Sequence, residues 1–370
     1  MPSFPEPIDW HQLKVFPLAT RRSMSAIEDI LVDASAAPPA ASEFTLGILR
    51  QAAAAIRQAR ARKASVMLLY GAHLVKNGAA SLVNALMEGG WVTHLGTNGA
   101  GSIHDWEFAF QNWSTESVEQ NVATGSFGAW DETGRNLHLA LMAGALQEQG
   151  YGISVGRFIT DDGVELPSAD SLEAALRAEP AHPLSPARAD LLLSMRTNGF
   201  GGGRVSVKHP WKHTSIFGTA YRLGVPLTVH PGIGYDIITN HPLFNGAVLG
   251  RAAGIDFRLF TRAVEGLDEG VVMSVGSAIM APQVFEKSLS CVNNLRLQAG
   301  RPIVKDHQIY VVDLQDGGNW DWTQGEPPRE NPAYYLRFCK SFSRMGGQMH
   351  YAQCDNVVFL HQLLSLLRSE

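Results

Sequence analysis

The chain has 370 residues, 45% of them hydrophobic, and carries 30 basic against 35 acidic side chains for a formal net charge of −5. A chain of this kind buries a large core, and its acidic balance argues against a nucleic-acid partner. No run approaches the ~18 apolar residues of a membrane span, the first residues lack the charged and apolar regions of a secretory signal, and Cys291, Cys339 and Cys354 are too few and too scattered for a disulfide framework or a zinc motif. A soluble, cytoplasmic protein with no membrane contact is expected.

In chain order, residues 1–45 are rich in Pro and Ala and read as a helical N-terminal extension with one short helical pattern, 24–32, and a connector at 37–42. Residues 46–370 read as a single α/β domain. A strong helix at 45–63 carries Leu46, Leu49, Ala53 and Ile56 as its apolar stripe. Residues 66–70 form an apolar run of strand length, and 71–78 a glycine turn. Ala80, Leu82, Val83 and Leu86 then fall at helical spacing, Gly89 and Gly90 end that helix, and 91–95 is a second strand. The turn 97–101, TNGAG, follows it and opens a further helix over 104–110. Residues 121–136 read as glycine-punctuated loop and 136–149 as helix. Residues 151–185 look irregular apart from a helix near 171–177, which makes them the candidate insertion. From 214 onward helices alternate with single strands at 226–230, 271–275, 308–314 and 348–352, and the last helices are expected at 331–342 and 356–367. That alternation predicts a doubly wound, mostly parallel sheet of Rossmann-like type, covered on both faces.

Glycine turns at the ends of successive strands are where open α/β sheets bind ligands, because the following helix offers free N–H groups to an anion. Neither turn has the GxGxxG spacing, and such glycines also serve simply to allow positive φ or close packing.

Five strings, AHLVKNG, LGTNGAGSIHD, TGSFGAWDETG, VPLTVHPGIGYDII and YVVDLQDGGNWDW, lie in an order and context that resemble deoxyhypusine synthase from about Ile48 to the C-terminus. The resemblance implies an NAD-binding fold, a homotetramer built from dimers, and transferase or amine dehydrogenase chemistry on a polyamine or another small amine. It places the cofactor turn on Thr97, Asn98, Gly99, Ala100 and Gly101, the helix-opening turn on 73–78 with His73 and Asn77, and an adenine-side aspartate near Asp355. It places substrate carboxylates at Asp236, Asp316 and Asp321. A family carboxylate falls on His104, beside Asp105, and an acidic position falls on His230.

The departure that matters most is the lysine on which the family forms an imine. Its position falls on Leu336 or Arg337, with Lys340 about one turn further on. An arginine stays protonated and is no nucleophile. The family's histidine after the preceding strand is also replaced, by Ala281 or Pro282. Deoxyhypusine synthesis by that route is therefore not expected, and the reading becomes an NAD-dependent enzyme acting on a small amine or amino-acid-like molecule. In this reading His104 or His230 serves as a base, Asp236, Asp316 and Asp321 hold an amine, and Arg337 holds an anionic group, unless Lys340 replaces the missing nucleophile. Each of these aspartates has an alternative as an Asx-turn or cap.

Two further constellations compete. The segment 199–215 sets Arg204, Lys208, His209, Lys212 and His213 behind four glycines, either as a clamp for a phosphate or carboxylate or as a solvated loop. His230, Asp236 and His241, with His104, His209 and His213 nearby in pattern, offer a metal-dependent alternative without any recognised ligand spacing. A protein that kept the fold but binds a small ligand without cofactor chemistry is the remaining reading. Trp320, Trp322, Tyr334 and Tyr335 either wall a pocket or pack a subunit contact.

Overall fold

The computed structural model describes residues 4–369. Its main sheet has six strands: β1 (Val66–Tyr70), β2 (His94–Asn98), β3 (Leu227–His230), β4 (Val271–Val275), β5 (Gln308–Asp313) and β6 (Gln348–Gln353). All neighbours pair in parallel, in the order β6-β5-β4-β1-β2-β3. This is the doubly wound order in which the chain starts mid-sheet, works to one edge, then returns and works to the other. β1 is buried at every position because it lies centrally with both faces covered. Val66, Leu68 and Tyr70 point into one core, while Met67 and Leu69 point into a second on the opposite face. That alternation is the two-residue period of a strand.

Helix formation follows the expected chemistry at the first long helix, Glu43–Ala61. The Ser42 hydroxyl accepts from the Thr45 N–H at 3.1 Å, and Leu49, Ala52, Ala53, Ile56 and Ala59 are buried along one stripe.

Several expectations need correction. The second strand begins at His94 rather than 91, and helix Gly99–Gln111 starts directly at its end. Residues 121–136 are not all loop, since they include the end of helix Val118–Ala123 and the start of helix Asp131–Ala145. The region 151–185 is regular: helix Tyr151–Thr160, strand Gly163–Leu166, helix Ala169–Ala178 and the start of helix Ser185–Asn198. The glycines of its first helix have a packing reason. A Cβ on Gly152 would overlap the Leu227 carbonyl and one on Gly156 would crowd that of Phe217, so both permit close approach of a helix to its neighbours. The helix expected over 331–342 is a 3-10 turn, Pro332–Tyr335, followed by a short helix, Arg337–Ser343.

The N-terminal extension has little helix and is woven into the domain. Its strand Ser25–Ala26 pairs with Trp113–Ser114, Phe16 bridges Trp130, and the Leu18 N–H donates to Glu132 at 2.6 Å. Among the described residues no helix is long and apolar enough to cross a membrane.

Candidate functional site

The turn after β2 is built from close contacts. Thr97 is fully buried and donates its hydroxyl to the Tyr70 carbonyl at 3.0 Å, and a Cβ on Gly101 would overlap that hydroxyl. Asn98 caps the helix by accepting from the Gly101 N–H at 2.9 Å. Gly99 is glycine because the Asp236 carboxylate lies where its side chain would go. Asp236 accepts from the Gly232 N–H at 2.7 Å and from the Ala100 backbone, and burial raises its pKa to about 6. The anion position at the start of this 13-residue helix is thus held by the chain's own carboxylate.

One turn into the same helix stands His104. Its Nδ1 lies 2.8 Å from the Ser114 hydroxyl, and that hydroxyl donates to Glu107 at 2.5 Å. With its proton committed to Glu107, Ser114 accepts from Nδ1–H, which leaves His104 Nε2 as an acceptor. Glu107 also takes two parallel bonds from Arg21, at 2.8 and 2.7 Å, and one from Thr133 at 2.8 Å. Burial pushes Glu107 up, but the Arg21 charge and hydrogen bonds outweigh it and hold the carboxyl below its ordinary value. For His104, burial lowers the pKa to about 4 against the opposing pull of Glu107, with Lys76, Arg21 and His73 adding to the fall. The imidazole is neutral at pH 7.

His104, Lys76, Phe127, Tyr235 and Asp236 line one cavity of about 230 Å³. It offers a carboxylate, an ammonium, an imidazole acceptor and aromatic walls. Sequence reasoning singled out His104 and Asp236 and missed Lys76, Tyr235 and the Arg21–Glu107–Ser114 support. Glu107 follows His104 by three residues on one helix, a legible spacing. Arg21 arrives from a segment read as an appendage and gave no signal.

The other expected residues lie elsewhere. His73 and Asn77 are exposed on and after the short helix Ala72–Lys76. Asp355 caps helix Asn356–Arg368 by accepting from the Val357 and Val358 N–H groups at 2.9 and 3.1 Å. His230 is buried, with Nε2 3.2 Å from the Thr228 hydroxyl and its ring edge-on to Phe260; burial lowers it to about 4. Asp316 and Asp321 are exposed and make Asx-turns to Gly318 and Thr323, at 2.8 and 3.0 Å. They follow β5, four strands from β3, or about 19 Å from the Asp236 side at ordinary strand spacing. Arg337 is exposed. Lys340 pairs with Glu326 at 2.6 Å and lies over the Tyr334 ring at 3.4 Å. Trp322 is buried while Tyr335 is exposed.

The basic segment turns its cations onto local oxygens. Lys212 meets Asp162 at 2.8 Å, Lys208 lies at 4.0 Å from the same carboxylate, and Arg204 donates to the Asp161 and Asp162 carbonyls at 2.5 and 3.2 Å. His209 is buried beside Asp162 at 3.5 Å, and His213 is exposed. A clamp of converging cations is not formed. The proposed metal set is separated as well: His241 lies 3.5 Å from Asp131 and stacks on His138, away from His230. Among the described residues no three His, Cys, Asp or Glu side chains are placed to hold an ion.

No family model matches the chain, and no curated protein matches it. Among solved structures, AgrE in a ternary complex with ornithine and NAD+ is similar at 13% identity and a TM-score of 0.43, covering 88% of this chain and 34% of AgrE. A putative LOR/SDH protein of Methanococcus maripaludis gives 14% and 0.42, with 90% and 73% covered. A putative deoxyhypusine synthase of Entamoeba histolytica gives 10% and 0.39, with 88% of each chain covered. The chain spans about a third of the length of the arginine dihydrolase ArgZ and the AgrE chains. Likenesses at this level assign neither activity nor ligand; the fold class rests on the strand order.

Proposed function

We propose that the chain is a deoxyhypusine synthase-like enzyme acting on a small amine or amino-acid-like molecule held between Asp236 and His104. The observation that carries the reading is the shared cavity of these two side chains with Lys76. Drug-sized ligand pockets run from roughly 300 to 1,000 Å³, so about 230 Å³ suits a metabolite of amino-acid size. Asp236, ionised above about pH 6, holds an ammonium group, and Lys76 takes a carboxylate at the other end of a zwitterion. His104 Nε2 accepts a proton from the ammonium group and leaves the nitrogen its lone pair, while Ser114 and Glu107 hold the ring in the required tautomer.

NAD is the cofactor that the resemblance implies, and the strand order is the one that carries dinucleotides in other doubly wound folds. The residues of the turn 97–101 do not fit its pyrophosphate as they stand. The Ala100 and Gly101 N–H groups serve Asp236 and Asn98. At the switch point between β1 and β4, a Cβ on Gly71 would overlap the Gly276 carbonyl, so the backbones are already in contact. No step is assigned to the dinucleotide. An Asp236→Asn variant, with the buried charge removed, tests the reading through calorimetric titration with NAD: affinity that appears only in the variant identifies Asp236 as the obstacle.

The function is tested with spermidine and a panel of α,ω-diamines and diamino acids, by ligand NMR for binding and by product analysis for turnover. Asp236→Asn should abolish amine binding. His104→Gln should leave binding near wild type and lower turnover by roughly 10²–10⁴-fold, the usual worth of a general base. Equal amine affinity in Asp236→Asn overturns the site. The low basicity of His104 favours one other reading, a protein that binds without turnover, and binding with no product from any panel member would establish it. The resemblance also implies a homotetramer, which a monomer in light scattering at micromolar concentration would refute.

A further inference from the structure

A second cavity, of about 500 Å³, is lined by residues 241–243, a few positions beyond Asp236. It is walled by one face of helix Asp131–Ala145, where Asp131, Arg135 and Leu139 follow at four-residue spacing, by the glycine loop at 200–202, and by 241–243. Its volume falls inside the range of roughly 300–1,000 Å³ typical of small-molecule sites.

The polar groups of this cavity are only partly committed. Arg135 directs Nε and one terminal nitrogen at Asp131, each at 3.0 Å, and its Nη1 meets no partner among the described residues. Asp131 is braced from its other side by His241, at 3.5 Å. The nearby His241 Nε2 first and the Arg135 bonds after it hold Asp131 below its ordinary value, against burial. His241 accepts the Leu243 N–H on Nδ1 at 3.0 Å, which fixes its proton on Nε2, toward Asp131. Arg135 thus balances the Asp131 charge through Nε and one terminal nitrogen and keeps Nη1 to donate to a ligand. Along the loop, the N–H groups of Gly201 and Gly202 make no hydrogen bond among the described residues, and a Cβ on Gly201 would meet open space. Two free N–H groups in a glycine turn beside a guanidinium form an anion-binding concavity. Leu139 and Leu243, both buried, and the half-buried Val205 and Phe200 supply an apolar floor.

We propose that this cavity is a second ligand site, separate from the His104 pocket, for a small molecule with one anionic head and an apolar body. The head, a phosphate or a carboxylate, lies between Arg135 and the Gly201–Gly202 N–H groups. The body covers Leu139 and Leu243.

The test is isothermal titration of the full chain with phenyl phosphate, phenylacetate and inorganic phosphate. Phenyl phosphate or phenylacetate should bind more tightly than inorganic phosphate, and the tighter of the two identifies the head group. Arg135→Gln should weaken that probe about tenfold, the loss expected for one charge-assisted hydrogen bond. Gly201→Val, at a position with room for its side chain, should weaken it without lowering the melting temperature. Spermidine should not displace the probe. The proposal is overturned if neither aromatic anion binds at millimolar concentration, if both variants bind as wild type does, or if spermidine competes. Competition would return the anion to the first pocket, whereas loss of amine binding alone leaves this second site standing.

Discussion

At the carboxyl ends of β2 and β3 the charged side chains are buried and bound to one another across long stretches of sequence: Arg21 to Glu107, Asp236 to the backbone of 100 and 232, Asp105 to the start of helix Ile216–Leu223. Beyond β5, at the other end of the same sheet, Asp316, Asp321 and Glu326 are exposed, and the two aspartates bind only neighbours in sequence. Burial separates the two regions, although both were expected to carry substrate carboxylates. In the first, removing a partner strands a charge in low dielectric and shifted pKa values follow. In the second, water replaces whatever is lost. The proposed chemistry, which depends on perturbed groups, is for that reason assigned to the first region.

The largest test of this contrast is acid. Burial lowers His94 to about 3 and His104, His138, His209 and His230 to about 4. These belong to the half built around β2 and β3, while burial also lowers His307 and His350 beside β5 and β6 without so large a shift. Because these pKa values are depressed from an unfolded value of about 6.5, the stability they contribute is fully present above that pH and is lost as pH falls toward 4. Asp105 and Asp236, raised to about 6, and Asp256, raised to about 8, act in the opposite sense. Their contribution is present below about pH 3.9 and is lost as pH rises through 6 and 8. They offset the histidines in part and never share their direction. Circular dichroism should show unfolding between about pH 6 and 4, and hydrogen exchange at about pH 5 should show β2 and β3 losing protection before β5 and β6. A chain fully folded at pH 3, or one that opens first at β6, contradicts the comparison.

Next in size is the buried pair. Arg21→Met leaves Glu107 ionised and unpaired and should cost about 3–5 kcal/mol. The double variant Arg21→Met/Glu107→Leu should recover much of that loss, since two apolar groups need no partner. A single variant that melts as wild type does would mean the extension is not docked as described.

A smaller loss is expected at the turn. Gly99→Val forces its side chain into the space held by Asp236, and overpacking of this kind costs roughly 1–3 kcal/mol. Amine binding should disappear, because the carboxylate is displaced. Wild-type amine affinity in a folded Gly99→Val protein would remove Asp236 from the site.

The sequence makes the sheet legible because β1 is an unbroken apolar run, β4 is broken only by Ser274, and the helices between them keep a clear period. The helix near 171–177 is legible and is found at Ala169–Ala178, but helix Tyr151–Thr160 is not, because Gly150, Gly152 and Gly156 resemble loop glycines and the approach of Asp256, Leu227 and Phe217 explains them. At the site, His104 and Asp236 are visible through the family resemblance, each six residues beyond a strand end. Their partners are not, since Ser114 lies on a two-residue strand and Arg21 enters from 86 residues away in sequence. Asp316 and Asp321 were visible for the wrong reason: an aspartate followed two residues later by a small or hydroxyl residue reads equally as a ligand holder and as an Asx-turn, and geometry selects the turn.

The smallest effect should come from the far end of the sheet. An amine nucleophile needs a free lone pair, and the Lys340 amine is engaged by Glu326 at 2.6 Å and lies over the face of Tyr334. Arg337, exposed one turn earlier, has no carbonyl chemistry open to it. Lys340→Met and Asp321→Asn should therefore leave amine affinity at the His104 pocket unchanged. Borohydride treatment in the presence of NAD and spermidine should leave the mass of the chain unaltered. Arg337→Lys restores an amine near the family's position but four strands from Asp236, so it too should yield no adduct. A reduced adduct mapped to Lys340 by peptide mass spectrometry would reverse the comparison. The region beyond β5 would then hold the nucleophile, and aminoalkyl transfer would become the leading activity.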